Sequence, residues 1–106
     1  RAVIEFRRSL KFRDRPPQIA SLRYYLGVAL GKLGSNREAA EELMQAISLG
    51  AEKTVAKHVR YLLGTTYEAL GRRNKAQKAY RSYLKKYPSG SYARLTRRRL
   101  KALRAK

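Results

Sequence analysis

A repeat of 37 residues most strongly constrains what this chain can fold into. Shifted by that distance, the segment that begins at Arg23 superposes without gaps on the segment that begins at Arg60. A period of this size indicates stacked supersecondary units, each of which buries its apolar face against the next. The identical pairs are Arg23 with Arg60, Tyr24 with Tyr61, Leu26-Gly27 with Leu63-Gly64, Leu33-Gly34 with Leu70-Gly71, and Ala39 with Ala76.

Each unit is predicted to be two helices joined by a tight turn. Apolar residues recur at helical spacing through both halves of the unit. Gly34 and Gly71 stand where a left-handed residue ends the first helix. Large side chains fall where two helices would face each other, and small ones where their backbones must approach. We therefore predict an all-α fold of about six helices in antiparallel pairs.

The same pattern divides the chain into four parts of a single domain. Residues 1–14 are predicted to form the second helix of a truncated repeat, and residues 18–51 and 54–88 two full repeats. Residues 91–104 are predicted to form a capping helix. Its single apolar face and its basic outer sides are what the end of a stack requires.

The helix starts are predicted from capping residues. Ser35 with Glu38, and Asn74 with Gln77, fit the capping box, in which two side chains satisfy free backbone N–H groups. Thr54 is predicted to cap the first helix of the second repeat.

The apolar faces predict the core. Tyr67, Tyr80 and Tyr83 fall on inward faces of the second repeat and are predicted to be buried. The inward stripe of the first full helix comprises Ile19, Leu22, Leu26, Ala29, Leu30 and Leu33.

The charge of the chain is strongly positive and unevenly distributed. The net charge is +19, from 26 Lys and Arg against 7 Asp and Glu. Glu68 is the last acidic residue. Such a surface attracts anions, which include acidic proteins, nucleic acids and anionic membranes.

Composition argues against catalysis and against cofactors. The chain has no cysteine, which excludes disulfides and thiolate metal sites. His58 is the single histidine, and the adjacent Glu41 and Glu42 point to different sides of a helix. No apolar run approaches the length of about 20 residues that spans a bilayer. We predict neither an enzyme nor a metal site, and we interpret the chain as a fragment of a longer protein.

These residues resemble the tetratricopeptide repeat. Leu26-Gly27 and Leu63-Gly64, each followed three residues later by Leu30 or Tyr67, are similar to the signature of its first helix. Gly34 and Gly71 match its turn, Ala39 and Ala76 its small second-helix position, and Pro88 its closing proline. The period exceeds the usual 34 residues, and we expect the excess to lengthen each first helix by about one turn. The ending YLKKYPSGSYA is similar to repeats of bacterial envelope proteins, so a cytoplasmic or an envelope location remains open.

The resemblance implies a superhelix that binds protein segments on a concave face lined by the first helices. The groove residues carried over by position are Tyr24, Val28 and Gly31, then His58, Tyr61, Thr65 and Glu68, and in the cap Leu95, Arg98 and Ala102. The basic set that grips a peptide carboxylate in heat-shock co-chaperones is absent, because Tyr24 and Val28 stand in its place.

The leading hypothesis is a non-catalytic protein-interaction or scaffold module. Its partner segment would be acidic, and Tyr24 and Tyr61 would be its anchors, since tyrosines favour binding surfaces. Packing against the neighbouring first helix is the alternative role of these two tyrosines.

Two further hypotheses concern other surfaces. The basic C-terminal half predicts binding of nucleic acid or another polyanion. The other hypothesis is self-association of the chain through its predicted first helix, residues 1–14. Arg23, Arg60 and Arg97 share the repeat position and either form a positive stripe or stand alone in solvent. The basic patch comprises Arg94, Arg97, Arg98, Arg99, Lys101 and Arg104, together with Lys75, Lys78, Arg81, Lys85 and Lys86 of the preceding helix.

Overall fold

The computed structural model describes residues 16–104, and this part of the chain is all-α, as predicted. The predicted helix over residues 1–14 lies outside the described residues. The helices are α1 (Pro16–Lys32), α2 (Asn36–Ser48), α3 (Ala51–Thr54), α4 (Val59–Ala69), α5 (Arg73–Lys86) and α6 (Ala93–Arg104).

Two helix pairs form the body of the molecule. α1 packs against α2, and α4 packs against α5. α2 joins the pairs by packing on α4, and α6 covers α5 at the other end. The principal core lies between the pairs and under α6. It comprises Ala40, Leu43, Val59, Leu63, Tyr67, Ala76, Ala79, Tyr80, Leu100 and Leu103.

The turn inside each pair has the predicted glycine geometry. Gly34 adopts a φ of +84°, and the N–H of Ser35 donates a hydrogen bond to the carbonyl of Leu30 at 2.9 Å. The equivalent bond, also 2.9 Å, follows Gly71 at a φ of +73°. This is the Schellman ending of a helix, which satisfies a carbonyl that the helix leaves free.

The predicted capping boxes are wrong. Ser35 is the N-cap of α2, but its side chain makes no hydrogen bond to the helix. Asn74 lies inside α5, whose N-cap is Arg72. The glycine turn explains both observations, because the residue directly after Gly34 or Gly71 becomes the N-cap whatever its side chain.

The predicted cap at Thr54 is also wrong. Thr54 is the last residue of the short helix α3, and α4 begins at Val59 after its N-cap His58. Ala51 anchors α3 because it is fully buried against Ala20 and Ala46. The connector thus folds into a separate helical turn instead of lengthening the first helix.

Close helix contact depends on glycines at the crossing of each pair. A Cβ on Gly27 would lie 2.9 Å from Leu43 Cδ2, and a Cβ on Gly64 would collide with the Tyr80 ring. Tyr80 is fully buried, and Tyr67 and Tyr83 are nearly so. The predicted burial of these three core tyrosines is therefore confirmed.

The predicted stripe of α1 is only partly buried. Leu26 and Leu30 lie in the core, but Leu33 is 70% exposed. Leu33 follows the last helical residue and belongs to the turn. Ala20 was not predicted, and it is buried because it faces the unpredicted helix α3.

Candidate binding cleft

A cleft of about 460 Å³ lies between the two successive first helices, α1 and α4. It brings together five of the predicted groove residues: Tyr24, Val28, Gly31, His58 and Thr65. Its other lining residues are Gly27, Lys32, Asn36, Leu43, Leu62, Thr66 and Ala69.

The two walls of the cleft follow from helical periodicity. Tyr24, Val28 and Gly31 are spaced by four and three residues and therefore form one row along α1. Gly31 leaves this wall open near the C-terminal end of α1, since a Cβ there would meet only the Ala39 Cβ at 4.0 Å. The opposite row is His58, Leu62, Thr65 and Ala69.

The polar groups of the cleft lie mostly at its ends. In its α4 wall, the hydroxyls of Thr65 and Thr66 both donate to the Leu62 carbonyl at 2.8 Å, so they offer a ligand only acceptors. Lys32 and Asn36 supply donors at the end of α1. No carboxylate is among the described residues that line the cleft.

The other end of the cleft is closed by a contact between Tyr24 and His58. Their Oη and Nε2 atoms lie 3.3 Å apart. Burial lowers the pKa of His58, which favours the neutral imidazole at pH 7. In the tautomer that carries its proton on Nδ1, the neutral ring accepts a hydrogen bond from the Tyr24 hydroxyl at Nε2. Burial also raises the pKa of Tyr24.

A row of aromatic rings continues from this contact toward α6. The His58 ring stacks on Tyr92 with centroids 4.8 Å apart, and Tyr92 contacts Tyr61 at 4.9 Å. Tyr24 and Tyr61 are both half-buried and pack against the unit that follows. Tyr92 directly precedes α6, and no repeat position indicated its bridging role.

Glu68 lies outside the cleft and joins three helices instead. It accepts a hydrogen bond from the Tyr80 hydroxyl of α5, and Arg99 Nε of α6 donates to its Oε1 at 3.0 Å. Burial and this bond raise the pKa of Tyr80. The structure therefore pairs a predicted groove residue, Glu68, with a predicted basic-patch residue, Arg99.

The predicted groove residues of α6 are separate from the cleft. Leu95, Arg98 and Ala102 are exposed, and none of them lines it. Tyr61 is outside the cleft as well, although it supports Tyr92, which in turn stacks on His58.

The predicted positive stripe of Arg23, Arg60 and Arg97 is wrong, and these residues are not free in solvent either. Each guanidinium donates to an oxygen of a neighbouring segment, and the first two are neutralised by acids. The acceptors are Glu42 for Arg23 (2.9 Å), both carboxylate oxygens of Glu52 for Arg60 (2.7 and 3.0 Å), and the Pro88 carbonyl for Arg97 (2.7 Å).

Glu52 is a buried carboxylate with two cationic partners. Its side chain is 5% exposed and pairs with Arg60 and, at 3.4 Å, with Lys86. Burial raises its pKa, but the hydrogen bonds and charges of these partners outweigh burial and hold the pKa below its ordinary value. The ionised carboxylate thus ties α3 to α4 and α5.

Residues 16–104 show neither a metal-binding cluster nor a membrane-spanning helix. In this range no three His, Asp or Glu side chains are grouped as a metal ion would require. None of the described helices is long and apolar enough to cross a bilayer.

Comparison with known proteins gives two matches to models of the tetratricopeptide repeat, over residues 20–51 and 58–90. Together they cover more than half of the chain. The chain belongs to the tetratricopeptide repeat family. Tetratricopeptide repeats generally mediate protein–protein interaction or scaffolding and are typically non-catalytic. No curated protein and no solved structure gives a significant match. The predicted bacterial origin, domain limits and groove residues stay predictions.

Proposed function

We propose that this tetratricopeptide repeat chain is a non-catalytic module that binds an extended segment of a partner protein between α1 and α4. The observation that supports this function is the cleft of about 460 Å³, whose walls come from the first helices of both repeats. Val28 and Leu62 give it an apolar lining, and Gly31 leaves room for a side chain of the partner. Burial of that side chain would supply most of the binding free energy.

The partner segment is proposed to be acidic. Lys32 is the one lysine or arginine among the described lining residues, and no carboxylate opposes it there. The net charge of +19 would also steer an acidic segment toward the chain. Tyr24 would contact the segment at the far end of the cleft, where its side chain is partly exposed.

Nucleic-acid binding, the alternative predicted from the sequence, would use a different surface. A single lysine in the cleft cannot neutralise a run of phosphates. Self-association through residues 1–14 remains a separate proposal, tested by sedimentation of the chain.

The cleft is tested by filling it. Peptides of about 12 residues are selected on the protein from a random display library, and their Kd is measured by fluorescence anisotropy. Gly31→Gln places a side chain in the cleft and should weaken binding at least about tenfold. Gly31→Ala is the matched control, because its Cβ meets only Ala39 at 4.0 Å, and should change Kd less than about twofold.

The proposal also predicts which peptides are selected. They should carry at least one acidic residue, and Lys32→Glu should weaken them more than Lys53→Glu, a matched change on an exposed residue outside the cleft. Unchanged affinity in a folded Gly31→Gln protein would remove the cleft from consideration.

A further inference from the structure

We propose that the outer side of α6 is a second docking surface, which binds the phosphate backbone of duplex nucleic acid without reading its sequence. This surface is independent of the cleft between α1 and α4. We call it the α6 basic face, and it comprises Arg94, Arg97, Arg98, Lys101 and Arg104, all of which are exposed.

The α6 basic face is a continuous stripe. With 3.6 residues per turn, its five residues fall within an arc of about 120°, and they extend over about 15 Å of helix. The buried residues of α6, Ala93, Thr96, Leu100 and Leu103, fall within a separate arc of about 80°, whose centre lies about 120° from that of the basic face.

Within residues 16–104, no carboxylate pairs with the residues of this face. No acidic residue follows Glu68 in the sequence, and Glu68 is bound by Arg99, which points away from the face. Arg97 donates to the Pro88 carbonyl, a neutral acceptor that orients the side chain and leaves its charge uncompensated. The described ion pairs involve none of the five residues.

The face is also unsuited to packing against a further helix of the stack. The repeat of 37 residues places Lys101 at the position of Gly64 and Arg104 at the position of Tyr67. Gly64 allows the Tyr80 ring of the paired helix to contact the backbone, and Tyr67 fills the core beside it. A lysine and an arginine at these positions would hold a paired helix away.

Two observations favour a duplex over an anionic membrane or a single strand. The apolar side of α6 is already in the core, so the helix has no apolar face with which to enter a bilayer. Tyr87 and Tyr92, the tyrosines nearest in sequence, are half-buried and in contact with other rings, so they offer no platform for unpaired bases.

Phosphate geometry fits a face that is mostly arginine. Guanidinium groups bind phosphate oxygens through two parallel N–H bonds. A duplex carries one charge per about 1.7 Å of its axis, so a helix segment of about 15 Å opposes enough phosphates for every side chain of the face.

The test is anisotropy titration of labelled mixed-sequence duplexes of about 20 base pairs, one of DNA and one of RNA, between about 50 and 200 mM NaCl. Arg98→Gln with Lys101→Gln should reduce the slope of log K against log salt by about 1.8. Affinity at about 100 mM salt should fall at least fivefold. The matched control, Arg37→Gln with Lys53→Gln, removes the same charge from exposed residues elsewhere and should change affinity less than about twofold.

Three results would overturn the proposal. One is equal weakening in both double variants, which would assign binding to net charge and not to the face. Another is the absence of duplex binding by the unaltered chain at about 50 mM salt, whether or not vesicles that contain phosphatidylserine bind. The third is a preference of more than about tenfold for a single strand of the same length. Circular dichroism should show both variants folded, since all four substituted side chains are exposed.

Discussion

The two junctions between successive first helices use the same repeat position in opposite ways. Gly31 at the junction of α1 and α4 corresponds to Glu68 at the junction of α4 and α6. Gly31 leaves a cleft, whereas Glu68 is bound by Arg99 and Tyr80 and bridges the helices. Arg99 itself occupies the position of Leu62, which lines the cleft. The two junctions thus share one backbone arrangement and differ in a few side chains. One junction has an open cleft that can receive a ligand, and the other is closed by hydrogen bonds between side chains.

The helix pairs differ in a related way. Leu43 of the first pair corresponds to Tyr80 of the second, and Leu30 to Tyr67. The Tyr67 hydroxyl donates to Met44 Sδ of the first pair at 3.1 Å. Tyr80 donates within its own pair to Glu68, and Glu68 in turn accepts a hydrogen bond from Arg99 of α6. The second repeat is therefore hydrogen-bonded to both of its neighbours. Substitutions in it should lower the free energy of unfolding more than equivalent substitutions in the first repeat.

The largest expected effect is at the crossing glycines. Gly64→Ala should destabilise the protein by about 3 kcal/mol, because the new methyl group collides with the fully buried Tyr80 ring. Gly27→Ala should cost about 1 kcal/mol, since its Cβ would overlap the Leu43 side chain, at 2.9 Å, less closely than a Cβ on Gly64 would overlap Tyr80, and alanine favours the helix. Urea denaturation measures both. Equal losses of unfolding free energy in the two variants would contradict the claim that the second pair is packed more tightly than the first.

Removal of the Glu52 charge should have the next largest effect. Glu52→Gln leaves Arg60 and Lys86 without their acidic partner and should cost about 2 kcal/mol at pH 7. Glu42→Gln, which affects a single and more exposed bond to Arg23, should cost about 0.5 kcal/mol.

The effect of Glu52 also depends on pH. Its pKa is lowered in the folded state, so its stabilisation is full above the ordinary value of 4.5 and disappears as pH falls through the lower folded value. The stability difference between the unaltered chain and Glu52→Gln should therefore shrink below about pH 4. A difference that persists at pH 2 would show that packing, not charge, is responsible.

A smaller effect is expected from His58. Its pKa is lowered by burial, so the unfolded chain takes up a proton first as pH falls below the ordinary value of 6.5. Lys57 beside it adds further positive charge, while Tyr24 and Tyr92 face the ring without charge at this pH. Stability should decline by up to about 1 kcal/mol between pH 7 and pH 5. His58→Gln should flatten that part of the curve, and an unchanged slope would assign it to other groups.

The smallest expected effect has the opposite sign. Gly31→Ala should stabilise the protein by about 0.5 to 1 kcal/mol, because alanine favours the helix and its Cβ meets only Ala39 at 4.0 Å. A rise in Tm measured by circular dichroism checks this. Destabilisation would mean that the wall of the cleft is more crowded than the structure shows.

Local and periodic features explain how much of the fold was predictable. The repeat placed Gly34 and Gly71 in their turns, and it placed Tyr80 in the core, because these roles depend on position within one unit. The predicted start at Thr54 failed because burial of Ala51 stabilises a separate turn that no propensity indicates.

The site was less predictable than the fold. The family resemblance placed Tyr24, Val28, His58 and Thr65 on one concave face, and the structure brings them together in one cleft. Glu68 and Tyr61 were predicted in the same way, but both lie outside the cleft. Their surroundings depend on side chains of α6 and of the segment before it, which lie outside the unit and differ in type from the residues at the equivalent repeat positions.

The comparison of the two junctions is tested most directly by mapping where a selected peptide binds. Backbone amide shifts in two-dimensional NMR would be followed during titration with the peptide. The largest changes are expected at Val28, Gly31 and Thr65. Changes centred on Leu95 and Arg98, with the amides of the α1–α4 cleft unaffected, would contradict it.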